Sequence, residues 1–200
     1  MRGIFVTGTD TGVGKTVVSA ALAIRTGYRY WKPIQTGSDD DTAEVRRLSG
    51  CAVFDAGIRL PDPVSPHLAA QRAGITIDLQ HLARNRDRKG ADIVEGAGGA
   101  LTPINDSQTM VELMALLALP VVLVARSTLG TINHTVLTLE ALRARSLHVR
   151  GVIMVGDPNP DNRAAIEHYG KVTVLAEMPR FSPLTPEDLR SWVTRNEIAL

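Results

Sequence analysis

The chain has a single cysteine, Cys51, so neither an intrachain disulfide nor a cysteine metal cluster can form. A lone Cys beside Ala52 and Val53 reads as a small buried hydrophobe. The five histidines (67, 81, 134, 148 and 168) fall without metal-ligand spacing. Net charge is nearly absent: 22 Lys and Arg against 21 Asp and Glu leave +1. That balance exerts no general pull on nucleic acid or on an anionic membrane. Long hydrophobic runs are lacking too. The longest, 113–125, is interrupted by Pro120 and is too short to span a bilayer. Met1-Arg2 leads straight into a strand-like segment rather than a signal peptide. The expectation is a soluble, cytoplasmic protein with neither nucleic-acid nor membrane partners. One local basic run, Arg84-Asn85-Arg86-Asp87-Arg88-Lys89, reads as a solvated helix end.

Lysine is also scarce, 4 residues against 18 arginines. Generic surface cations are therefore arginine here. Two of the four lysines, Lys15 and Lys32, stand in glycine- or proline-marked segments after strands. A compact ammonium serves as a point charge on phosphate where a planar guanidinium fits less well.

A length of 200 residues suits one domain, 1–200, with a well-buried core. Short apolar segments alternate with helical patterns. Strands are expected at 3–7, 28–31, 58–60, 92–95, 121–125, 149–155 and 172–176. Helices are expected at 15–26, 41–49, 66–73, 79–88, 110–117, 132–145, 161–169 and 186–193. Fully apolar strands such as Pro120-Val121-Val122-Leu123-Val124 need cover on both faces. This points to an α/β fold, a doubly wound, mostly parallel sheet with helices on both faces. Ligands of such sheets sit beyond the carboxyl ends of the strands. The segments there are 8–16, 32–41, 95–99, 126–133 and 156–160, which are rich in glycine and polar groups.

Residues 8–16 read Gly-Thr-Asp-Thr-Gly-Val-Gly-Lys-Thr between a strand and a helix. This is the setting of a phosphate-binding loop, and with it a P-loop NTPase fold. Glycines let backbone N–H groups converge on phosphate, and the helix N-terminus adds a favourable dipole. Lys15 is expected to reach the β- and γ-phosphates, and Thr16 to place its hydroxyl on Mg2+. Gly8 and Gly14 enclose five residues, one more than the common pattern. Magnesium calls for carboxylates besides the threonine. Glu95 ends an apolar strand before Gly96-Ala97-Gly98-Gly99, where it would face the phosphates. Asp39-Asp40-Asp41 offers loop charge, a helix cap and one candidate metal ligand.

With Lys32-Pro33-Ile34-Gln35-Thr36-Gly37 and Glu95-Gly96-Ala97-Gly98-Gly99 beside this loop, the sequence resembles the dethiobiotin synthetases. Ser65-Pro66-His67 and Gly130-Thr131-Ile132-Asn133-His134 extend the resemblance over most of the chain, in the family's order. It implies ring closure of 7,8-diaminopelargonic acid with CO2 and ATP to dethiobiotin. The route runs through a carbamate and its mixed anhydride with phosphate. It implies Lys15, Lys32, Thr11 and Thr36 as catalytic residues, and Thr16, Asp41 and Glu95 around Mg2+. Nucleotide contacts are implied at Thr9, Gly12, Val13, Gly14, Lys15, Thr16, Val17, Gly156 and Pro179. Substrate contacts are implied at Thr11, Lys32, Thr36 and Gly98, and at Gly130, Thr131 and Asn133 reaching in from the second subunit of a homodimer. Asn133 also suits a helix N-cap.

Two positions depart from the family. Gly12 stands where many members carry an acid, and Gly156 where many carry a base-reading Asn. The nucleotide preference is therefore open. A partitioning or regulatory ATPase acting as a nucleotide switch is the main alternative. It would carry a signature lysine where this chain has Asp10. An amidating synthetase of cobalamin assembly would need a glutaminase domain for which 200 residues leave no room.

Overall fold

The computed structural model describes residues 3–54, 57–86 and 92–199. At its centre is a seven-stranded sheet, built from β1 (Gly3–Gly8), β2 (Arg29–Trp31), β4 (Val53–Phe54), β6 (Asp92–Gly99), β7 (Val121–Arg126), β8 (Val149–Val155) and β9 (Val174–Met178). Their order is β4-β2-β6-β1-β7-β8-β9, and every pairing is parallel. A separate parallel pair joins β3 (Ile34–Thr36) to β5 (Ile58–Leu60). The helices are α1 (Lys15–Thr26), α2 (Asp41–Ser49), α3 (Pro66–Arg72), α4 (Leu79–Asn85), α5 (Met110–Leu117), α6 (Thr131–Arg143), α7 (Pro160–Gly170) and α8 (Pro186–Arg195).

Strand side chains alternate between faces, and both faces are buried. Ile4 and Val6 of β1, Val122 and Val124 of β7, and Ile153 of β8 share one core with Val18 and Leu22 of α1, Val45 of α2 and Trp192 of α8. Phe5, Trp31, Val94 and Val121 point the other way, towards α3, α4 and α5. Leu123, Ala125 and Met154 pack with Leu139 of α6 and Ile166 of α7. Each such fully buried large side chain contributes about 1.5–3 kcal/mol relative to exposure. This is the doubly wound arrangement that the apolar runs demanded.

The central strand β1 lies between β6 and β7, although the chain leaves it for β2, beyond β6. The crevice at the carboxyl ends therefore opens where the strand order reverses, as the rule for ligand sites in such sheets requires. Both β1 and β6 run into glycine there, with Gly8 paired to Gly99 after a register shift.

Several expected boundaries move. β6 continues through the glycines to Gly99, and β3 and β4 were unforeseen because two or three residues carry no periodicity. The helix expected at 79–88 ends at Asn85, and residues 87–88 lie outside the described ones. Cys51 is half-buried against the core.

The basic run is a solvated helix end at Arg84, exposed in the last turn of α4, but not at Arg86. Arg86 is buried, and its Nε donates to Asp92 Oδ2 at 2.9 Å. Arg29 Nε donates to Asp92 Oδ1, also at 2.9 Å. Asp92 is fully buried at the amino end of β6. Removing one member of a buried ion pair leaves the other charge uncompensated, at about 3–5 kcal/mol. Asp92→Ala is expected to lose about that much stability in urea unfolding. A loss below 1 kcal/mol would show that the two arginines find other compensation.

Candidate functional site

The loop at residues 8–16 leaves β1 at Gly8 and enters α1 at Lys15. Two of its glycines have positive φ, Gly12 at 70° and Gly14 at 101°. L side chains resist that region, so glycine is what lets the loop curl back on itself. Gly14 also packs on β8, since a Cβ there would lie 3.2 Å from Val155 Cγ1. Asp10 braces the loop from within. Its Oδ1 accepts the Thr11 N–H at 2.7 Å, and its Oδ2 accepts from Arg126 Nη2 at 2.8 Å. Lys15 Nζ donates to the Asp10 carbonyl at 3.0 Å.

Four elements, α1, β2 with the residue after it, α2 and β6, bring their polar groups to the open side of this loop. Thr16, the second residue of α1, donates from Oγ1 to Asp41 Oδ1 at 2.9 Å and contacts Glu95 Oε1 at 3.2 Å. Lys32, just after β2, has its Nζ 2.7 Å from Asp41 Oδ2, 2.8 Å from Glu95 Oε1 and 3.3 Å from the Gly96 carbonyl. Tyr30 donates to Glu95 Oε2 at 3.0 Å. The cleft so formed holds about 390 Å³ and is lined by Thr11, Gly12, Gly14, Lys15, Thr16, Val17, Lys32, Gln35, Thr36, Asp39, Asp41, Glu95, Ala97 and Gly98.

The charges tune one another. Burial pulls the Lys15 ammonium below its ordinary range, against the attraction of Glu95. Burial opposes charge on Lys32 as well, but Glu95 and Asp41 outweigh it and hold its pKa above the ordinary value. Burial would raise Asp41, but Lys32 reverses the sign and keeps it below the usual carboxylate range. Burial and the Glu95 charge push the Tyr30 phenol well up, so it stays a donor. By linkage, Lys32 stabilises fully below the ordinary lysine pKa and loses that contribution only as pH rises through its raised value. Asp41 stabilises above its ordinary pKa and loses that contribution as pH falls through its lowered one. Both contributions are thus at full strength across the neutral range.

The donor set suits magnesium. Two carboxylates and a hydroxyl are hard oxygens, and Mg2+ is bound by few protein ligands, with phosphates and water completing its shell. Among the described residues no group of three or more His, Cys, Asp or Glu could hold a metal by itself.

A family model described as an AAA domain matches residues 2–188. The ATP-dependent dethiobiotin synthetase BioD of Paramagnetospirillum magneticum is 52% identical over 188 residues, covering 92% of this chain and 91% of that protein. That of Nitrobacter hamburgensis is 50% identical over 193 residues, covering 94% and 90%. The chain belongs to the dethiobiotin synthetase family. Among solved structures, a ParA-family ATPase from Chlorobium tepidum superposes with TM-score 0.61 at 10% identity, covering 99% of this chain and 94% of that one. At that identity the likeness is one of fold alone.

Not every residue implied by resemblance to the dethiobiotin synthetases reaches this cleft. Thr9 is half-buried, its N–H donating to the Val124 carbonyl at 2.9 Å. Val13 turns its side chain into the core, so only its backbone is available to a nucleotide. Gly156 follows β8 beside Gly14, and its N–H donates to the Met178 carbonyl, next to exposed Pro179. A Cβ at Gly156 would stand 2.3 Å from Ser127 Oγ. Gly130, Thr131 and Asn133 stand at the start of α6 and do not line the cleft. The cap of α6 is Gly130, with φ 91°, so the N-cap reading of Asn133 is not realised. Of the three consecutive aspartates, Asp40 caps α2 through Ala43 N and pairs with Arg59, while Asp41 turns into the cluster.

Sequence reasoning passed over Tyr30, Gln35 and Arg126. Arg126 closes an apolar strand beside a ligand segment, and that was its available signal. Lys32→Met is expected to cost about 3–5 kcal/mol in metal-free buffer, because Glu95 keeps a buried charge. Combined with Glu95→Gln, the loss should be smaller than the sum of the two singles. Additive losses in urea titrations would show that the pair carries no coupling.

Proposed function

We propose that this protein closes the ureido ring of dethiobiotin from 7,8-diaminopelargonic acid, CO2 and ATP, releasing ADP and phosphate. Family membership supports the reaction. The observation that carries it at this site is the second buried ammonium, Lys32, fixed beside the phosphate loop by Asp41 and Glu95. Water is a neutral nucleophile and needs no cation to bring it up to the triphosphate. A carbamate is an anion approaching a triphosphate anion, and it needs cations on both sides.

One amine of the diamine adds to CO2 and loses a proton, giving the carbamate. A carbamate oxygen then attacks the γ-phosphorus, and the bond to the bridging oxygen breaks to release ADP. The second amine attacks the carbonyl carbon of the mixed anhydride. Phosphate leaves, and a proton goes to solvent. Lys15 holds the γ-phosphate, Lys32 holds the carbamate oxygens, and Thr11 and Thr36 fix the acceptor between them. Thr16, Asp41 and Glu95 would hold Mg2+, which supplies charge neutralisation on the β- and γ-phosphates. Phosphoryl transfer asks mainly for such positioning and charge.

Residues 1–200 act as one catalytic unit and pair as a homodimer. Gly130, Thr131 and Asn133 lie away from their own cleft, which suits a contribution to the partner's. Exposed Leu129 and Leu137 supply apolar surface beside them. No described helix is long and apolar enough to cross a membrane, which suits small-molecule chemistry in the cytoplasm.

Phosphate release is expected only when diamine, bicarbonate, Mg2+ and ATP are all present. Release indifferent to the diamine would overturn the assignment. Lys15→Ala should lower kcat by two or more orders of magnitude on the scale of lost transition-state charge stabilisation. Base choice follows from Gly156, where Ser127 Oγ excludes a side chain. One missing neutral hydrogen bond is worth about 0.5–1.5 kcal/mol, so CTP and GTP should support turnover within about tenfold of ATP. Strict ATP selectivity in competition would refute loose base reading.

A further inference from the structure

Gln35 sits in the middle of β3, on the wall of the cleft. It is 8% exposed, and its Oε1 has no hydrogen-bond partner among the described residues. The amide's orientation is set by Nε2, which donates to the Thr36 carbonyl at 3.3 Å. A buried acceptor left unmade costs about 1–3 kcal/mol. The nearby donors do not reach it. Lys32 directs its three protons to Asp41, Glu95 and the Gly96 carbonyl. Arg59, paired with Gln35 across β3 and β5, is engaged with Asp40.

A donor for it has to come from outside the described residues, either as water or with a ligand. Among the components of the proposed reaction, CO2 has no hydrogen to donate. The triphosphate offers only acceptors, and the base belongs at the far side of the loop, near Gly156. The diamine alone brings N–H groups to this wall. Once one amine is a carbamate, its oxygens are held by cations, and the other amine is left without an anchor. That amine must be neutral to attack. A carboxylate acceptor would favour its ammonium form, whereas an amide carbonyl orients an N–H without adding charge. Of the three carboxylates that line the cleft, Asp41 and Glu95 are already committed to Lys32 and Thr16, and Asp39 is exposed and would favour the ammonium form.

We propose that Gln35 Oε1 accepts a hydrogen bond from the free amine of the diamine and aims its lone pair at the mixed anhydride. This rests on the ring-closing function proposed above. No covalent step involves Gln35 itself.

The test compares wild type with Gln35→Met and Gln35→Glu, following dethiobiotin by mass spectrometry at saturating ATP and bicarbonate. Binding of a non-hydrolysable ATP analogue is measured on each protein as a check on the fold. Gln35→Met should lose about 10–100-fold in kcat/KM for the diamine, the cost of leaving one buried N–H unpaired rather than of one hydrogen bond exchanged with water, with nucleotide affinity changed less than about twofold. Gln35→Glu should move the acidic limb of its pH–rate profile to higher pH, because a carboxylate retains the ammonium. Wild-type kcat/KM in Gln35→Met would overturn the proposal. An equal loss of nucleotide affinity would overturn it too, by marking Gln35 as structural. Failure of the wild type itself to make dethiobiotin would instead remove the function on which it rests, and the Gln35 proposal with it.

Discussion

A buried ammonium at Lys32 is held between Asp41 and Glu95, 2.7 and 2.8 Å away, and those same two carboxylates take the Thr16 hydroxyl. Three distant parts of the chain meet in this cluster: the phosphate loop with α1, the segment from β2 to α2, and β6. A charge carried alone into that depth would neutralise or destabilise the fold. Held together, Lys32 and Asp41 keep each other ionised across the neutral range. Under the function proposed, substrate binding would be an exchange of partners rather than the filling of an empty charge trap. Magnesium and phosphate would take the carboxylates and the lysines away from one another.

The sheet makes that meeting possible. Every strand of the main sheet runs the same way, so all their carboxyl ends face one edge. Glu95 lies midway along β6, next to β1, and Lys32 directly follows β2 on the other side of β6. Glycine at Gly99 lets β6 run close to β1, since a Cβ there would lie 3.3 Å from the Gly8 carbonyl oxygen. At the opposite edge, Asp92 ties Arg29 and Arg86 to the start of the same strand. β6 is thus anchored at one end by structural charge and carries functional charge further along.

The loop has its own brace. Asp10 joins the Thr11 backbone to Arg126 at the end of β7, and its carbonyl receives Lys15. A residue that separates this loop from those of the partitioning ATPases also fastens it to the neighbouring strand. Fold likeness to a ParA-family ATPase and membership of the dethiobiotin synthetases are compatible on this account, since the fold supplies the loop and the residues around it supply the chemistry.

Local pattern by itself determined much of this protein. Gly-Val-Gly-Lys-Thr between a strand and a helix, the apolar runs and the helix caps are set by neighbours a few residues apart, and α1, α2, α5 and β8 lie where that pattern puts them. Lys15 and Glu95 were legible from their motifs at the carboxyl ends of apolar strands and Lys32 from the scarcity of lysine, while Asp41 was singled out from its neighbours by the resemblance. What only the tertiary structure decided were relations between distant residues. Asp40 and Asp41 look alike in sequence, yet one caps a helix and the other enters the cluster. Arg86 reads as a surface cation but is buried by its pairing with Asp92. Gln35 reads as one letter of a motif, and its unmade hydrogen bond exists only because the packed fold buries it. Burial and partnership depend on contacts across tens of residues, and no local pattern encodes them.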